Sequence, residues 1–222
     1  MASKFDAEAL ELHKRYHGKL AVTPTVPLGS RDDLSRAYTP GVAAPCLAIK
    51  ENPETIYDYT TKGNMVAVVT NGTAVLGLGN IGAGAGLPVM EGKSILFKGF
   101  AGVDSVPVCV NSQKVEDVVK VCQLIAPTYG GINLEDIKAP QCFDIESELK
   151  KTLDIPARRS SSSPRSSMHT SISSATCARR RSSSTAQAQR DRRSHASSSP
   201  LVQRPSSSAT PPAQSTRDAP RT

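Results

Sequence analysis

Tryptophan is absent from this 222-residue chain, and four phenylalanines and five tyrosines are its only aromatic residues, so a core has to be built from aliphatic side chains. No stretch approaches the ~18 apolar residues of a membrane span, which excludes a spanning helix. The opening MASKFDAEALELHKRYHGK is charged throughout, and neither a secretory signal nor an anchor is expected there. Cysteine is scarce and ill-arranged: Cys46, Cys109, Cys122, Cys142 and Cys177 are odd in number, far apart and without a CxxC pair. That pattern argues against a disulfide framework or a zinc site and fits a reducing, cytoplasmic setting.

The sharpest deficits are local. From Ala157 to Thr222 there is no Lys, Glu, Phe, Tyr or Trp, whereas Ser occurs 20 times and Arg 12 times, with Asp191 and Asp218 the only acids. The net charge of +7 therefore divides into +10 for this tail and −3 for residues 1–156. The basic balance says nothing about the partners of the front part, which reads as an ordinary, slightly acidic domain long enough for its own core. A tail so poor in large apolar groups cannot offset the entropy of ordering its backbone, and disorder is expected over 157–222.

Residues 1–156 carry alternating helix and strand signals. Ala9, Leu10, His13 and Tyr16 share one helix face within 6–17, and Pro40 is placed to open a helix through Val42, Cys46 and Ile49 that Asn52-Pro53 stops. MVAVVT (65–70), Asn71-Gly72 and TAVLGLG (73–79) together predict a hairpin. VDSVPVCV (103–110) reads as a strand, with Ser112 capping a helix that carries Val115, Val118, Val119, Cys122 and Ile125. GGINLED (130–136) reads as a strand presenting Glu135 and Asp136 at its carboxyl end, where α/β sheets place their binding sites, and 142–154 as the crossover helix after it.

Four segments, SRAYTPGVA (35–43), VVTNGTAVLGLGNIG (68–82), GLPVMEGKSILFKGFAGVD (86–104) and NLEDIKAPQCF (133–143), together resemble malic enzymes, in the family's order and approximate spacing over essentially all of 1–156. The resemblance implies an α/β malic-enzyme N-terminal domain, serving substrate binding and dimerisation, with the Rossmann domain missing from the chain. It implies oxidative decarboxylation of malate to pyruvate with Mg²⁺ or Mn²⁺ and NAD or NADP, and a homodimer formed through this domain. Tyr38 stands where the family keeps the acid that protonates the enol of pyruvate, and Lys93 where it keeps the base for the malate hydroxyl. An amine in a closed site beside a dication is disfavoured in its charged form and can serve as such a base. Glu135 and Asp136 match the family's adjacent metal-binding acids, hard oxygen donors suited to that ion. Taken singly, Tyr38 reads as a packed core tyrosine, Lys93 as a solvated lysine and the acid pair as a loop.

Two other motifs are declined. GLGNIG (77–82) fits G-x-G-x-x-G, but Gly84, Gly86 and Pro88 make a poor helix start and no acid follows at the distance of a ribose contact, so no residue is assigned to NAD. His13 and His17 are spaced as a metal pair but lack a third ligand. The tail itself has the pattern of an out-of-frame reading. If codons are rebuilt from the last base of one residue and the first two of the next, Pro156 to Ser163 permits G-T-A-I-V-V-V, the family's continuation, and Arg181 to Asp191 permits I-V-V-N-G-A-G-A-A-G, a strand entering a dinucleotide-binding turn. A small deletion after residue 156 would also remove the family's third acidic ligand, so loss of activity is expected. The Arg/Ser-rich tail could bind RNA loosely through phosphates, but it has no aromatics for base stacking.

Overall fold

In the computed structural model of the protein, residues 4–160 are described. The expectations for residues 161–222 lie outside them. The chain builds a four-stranded, wholly parallel sheet in the order β2-β1-β3-β4, with β1 Met65–Thr70, β2 Asp104–Cys109, β3 Gly131–Leu134 and β4 Ala157–Arg159. β1 is central and buried on both faces, hence its unbroken run VAVV in place of an alternating pattern. Val66 and Val68 point to one layer with Met90, Phe97 and Val103. Ala67 and Val69 point to the other, with Ile132, Leu134, Val118, Cys122, Ile145 and Leu149.

Helices cover both faces. α1 (Lys4–Tyr16), α2 (Arg31–Ala37), α3 (Ala43–Glu51) and the short α4 (Ile56–Tyr59) precede the sheet. α5 (Gly82–Leu96) continues into a π turn over Phe97–Ala101 and supplies the first layer. α6 (Val115–Ile125) and α7 (Gln141–Thr152) supply the second. Each fully buried aliphatic residue there, such as Leu149 or Ile145, contributes roughly 1.5–3 kcal/mol.

Several local expectations change. The 73–79 segment is a loop with a single Val75–Gly79 bridge, not the second strand of a hairpin, because both edges of β1 are taken by β2 and β3. Pro40 does not open a helix: residues 38–42 turn tightly, and α3 begins only at Ala43. Gly41 is required in that turn, since a Cβ there would meet the Ser35 carbonyl oxygen at 2.6 Å. Ser112 does not cap α6; its Oγ donates to Asp117 instead, and Lys114 holds the cap position. A helix does start at Gly82 despite the glycines, because Ile81 and Gly82 donate their N–H groups to the Gly72 carbonyl and anchor its first turn. The α2 helix was not anticipated, although Ser30 and Asp33 form a reciprocal capping box. Its acid is half-buried, and bonds from Ser30 and Arg36 hold the Asp33 carboxyl below the usual carboxylate range. Ala157, placed by composition at the start of the tail, is buried in β4 beside Ile132.

Candidate active site

The site forms where β3 ends. Glu135 continues the ladder by donating its N–H to the Val69 carbonyl at 2.9 Å, and Asp136 then turns the chain with φ +52, a left-handed conformation that Asp tolerates better than most residues. The loop after β1 braces that turn. Ala74 N–H donates to the Asp136 carbonyl at 2.9 Å, and Lys138 N–H donates to Thr73 Oγ1 at 3.0 Å. Thr73 Oγ1 in turn donates to Asn71 Oδ1 at 2.6 Å, so the Asn-Gly segment that resembles a hairpin turn is a support for the acid pair. Gly72 has φ +67, and a Cβ there would collide with the Gly82 carbonyl oxygen, so this loop and the start of α5 pack backbone to backbone.

That contact aims α5 across the site. Lys93 Nζ lies 2.9 Å from Glu135 Oε1, with the lysine side chain 18% and the glutamate side chain 7% exposed. Asp136, half-buried, has its carboxyl pushed up to about 6, first by burial, then by the charge of Glu135, with Lys93 opposing. Asn133, fully buried on β3, donates from Nδ2 to the same Glu135 oxygen at 2.7 Å. Sequence reasoning overlooked this residue, though an amide inside an apolar strand is itself a signal.

Lys93 and Glu135 are therefore in contact, with Asp136 beside them. Tyr38 does not join them: it follows α2, is 66% exposed, and its phenol makes no hydrogen bond among the described residues, to Lys93 or otherwise. The arm that carries it explains why, because α1, α2 and α3 contain no buried residue to pin it against the sheet. An open groove of about 300 Å³ lies elsewhere, between α1 and residues 18–21, and touches none of the four. Among the described residues no three His, Cys, Asp or Glu side chains cluster as a metal cage, and no helix is long and apolar enough to cross a membrane.

In this α/β domain a half-buried lysine and two carboxylates lie at the carboxyl end of a parallel strand, where doubly covered sheets place their binding sites. Residues 17–150 match the family model described as malic enzyme, N-terminal domain, and the chain belongs to that family. It is 57% identical over 152 residues to the NAD-dependent malic enzyme of Rhizobium meliloti, covering 68% of this chain and 20% of the relative. Against the NADP-dependent malic enzyme of Escherichia coli it is 53% identical over 157 residues, covering 70% and 21%. The crystal structure of the malic enzyme from Pyrococcus horikoshii superposes with a TM-score of 0.67 at 53% identity, covering 68% of this chain and 36% of that one. The chain thus spans only a fifth to about a third of these relatives.

Proposed function

We propose that this domain supplies the substrate- and metal-binding half of a malic enzyme, which oxidises (S)-malate with NAD⁺ or NADP⁺ and releases pyruvate and CO₂. The convergence of Lys93 on Glu135 beside Asp136 supports this reading above all else. Glu135 and Asp136 fit Mg²⁺ or Mn²⁺: Glu135 Oε2 has no partner among the described residues, and two neighbouring carboxylates repel each other less with a dication between them. When bound, such an ion polarises the hydroxyl and ketone oxygens and stabilises charge that develops on the substrate oxygen. Lys93, released from Glu135 as the free amine, takes the proton of the malate hydroxyl, and Tyr38, which lies outside this cluster, supplies the proton to carbon 3 of the enol only when its arm is drawn against the site. A bound nicotinamide would accept the hydride from carbon 2 of malate; no residue of this chain is assigned to hold it.

We infer that residues 157–222 are an out-of-frame continuation, on the strength of the two family segments recovered in the shifted frame, and that the chain alone is inactive. With Mn²⁺ present it is expected to show no malate-dependent reduction of NAD⁺ or NADP⁺. Residues 1–156 fused to the remaining part of the Escherichia coli relative are expected to turn over, and Lys93→Ala in that fusion to reduce kcat by roughly 10²–10⁴. A folded fusion without turnover, or one indifferent to Lys93→Ala, overturns the assignment. The exposed arm also supports a second reading, a domain whose retained role is pairing with a second copy.

A further inference from the structure

Asn133 stands out within the layer beneath α5. Ile132 and Leu134 point to the opposite core, so Asn133 faces the layer that holds Val66, Val68, Met90, Phe97 and Val103, and it pairs in register with Val68. An amide with no exposure among aliphatic groups is costly unless its bonds are made. Its Nδ2 meets Glu135 Oε1 at 2.7 Å, and Lys93 Nζ meets that same oxygen at 2.9 Å. Residues 133 and 135 share one face of the strand, so the backbone of β3 itself sets amide beside carboxylate. Lys93 reaches Glu135 on a long flexible stem, whereas the amide has two torsions and is enclosed by the sheet layer.

We propose that Asn133 is a positioning residue: it locks the Glu135 carboxylate through Oε1 and so leaves Oε2, together with Asp136, available to a divalent cation. The proposal rests on the reading of Glu135 and Asp136 as metal ligands. Partners of this kind orient a ligand without touching the ion, and losing them weakens metal binding while the ligands remain.

Titrating the full chain with Mn²⁺ alone, followed by the electron paramagnetic resonance signal of the free ion, tests both levels. Asn133→Leu, apolar and similar in volume, is expected to weaken Mn²⁺ binding roughly ten- to hundredfold; because it also leaves the buried Glu135 carboxylate short of a donor, the urea midpoint falls as well and affinity is the deciding readout. A merely structural asparagine predicts a lowered midpoint with unchanged Mn²⁺ affinity. Asn133→Ala, smaller than the native residue, carries the same affinity comparison if the leucine variant does not fold. Glu135→Gln combined with Asp136→Asn is expected to abolish binding. If that double variant loses Mn²⁺ while both Asn133 variants bind as the native chain does, the positioning role is overturned and the metal reading stands. If the native chain binds no Mn²⁺, or the double variant binds it equally well, the metal reading fails and this proposal fails with it.

Discussion

Burial of Asp136 beside Glu135 makes the stability of the domain depend on pH. The folded carboxyl, pushed up to about 6, keeps its proton in a range where an unfolded aspartate, with its ordinary value of 3.8, has already lost it. Between those values the folded state binds more protons, so the contribution is fully present below about 3.8 and is lost as pH rises through about 6. In chelator, the urea midpoint is expected to fall across that window and stay level above it. Asp136→Asn should flatten the slope and raise stability at pH 7 by about 1 kcal/mol, discounted for the residue's part exposure. A midpoint that rises from pH 4 to 6 in the native chain but not in the variant contradicts the assignment. Lys93 and the acid pair were legible from short segments because each segment fixes its own residue, and strand order then brings them together. The exposure of Tyr38 was not legible, since nothing in YTPGVA tells whether its arm has a surface to lie on.

At the scale of elements, the strands and crossover helices from residue 103 onward follow their sequence patterns closely, because hydrophobic period there agrees with tertiary contact. The hairpin failed for the opposite reason. Two apolar runs about Asn-Gly satisfy every local rule, yet β2 and β3, distant in sequence, fill both edges of β1. Lys62 is another element-level surprise: nearly buried, its Nζ donates to the carbonyls of Ala126 and Tyr129 at 2.7 and 2.9 Å, just past the end of α6, and lies over the Tyr57 ring. Lys62→Ala should leave those carbonyls short of a donor and cost about 2–3 kcal/mol, measured by urea unfolding. β4 tests how much order lies beyond Pro156. Pro156 accepts from Ile132 N–H, Ser160 N–H donates to the Leu134 carbonyl, and Arg159 sits 4.3 Å over the Phe143 ring, with its Nε 3.0 Å from Glu146. Ending the chain after Ser160 is expected to leave the melting temperature unchanged, whereas ending it after Pro156 removes buried Ala157 and the outer ladder, a loss of about 3 kcal/mol. Equal melting of the two would show that β4 adds nothing.

For the described residues as a whole, the two cores sit on either side of the sheet, and residues 5–50 contribute no buried side chain to either. Leu10, Tyr16, Val22, Leu28, Leu34 and Leu47 are all exposed there, more apolar surface than a solitary domain commonly leaves to water. Residues 18–19 are tied down: Lys19 N–H donates to Glu91, and its Nζ to the Pro88 carbonyl. Sedimentation at rising concentration is expected to show self-association, and Leu10→Glu with Leu34→Glu to abolish it without changing the circular dichroism, since neither side chain enters a core. A native chain that stays monomeric throughout would assign the arm another role. The margin of the sheet has a different consequence. With Ser160 bonded to Leu134 at the outer strand, the last described residue lies at the margin of the sheet, and both described cores are built from residues before it. In the vocabulary of gene fusion, residue 160 is a seam, a place where recombination can exchange whatever follows without requiring the front half to fold anew.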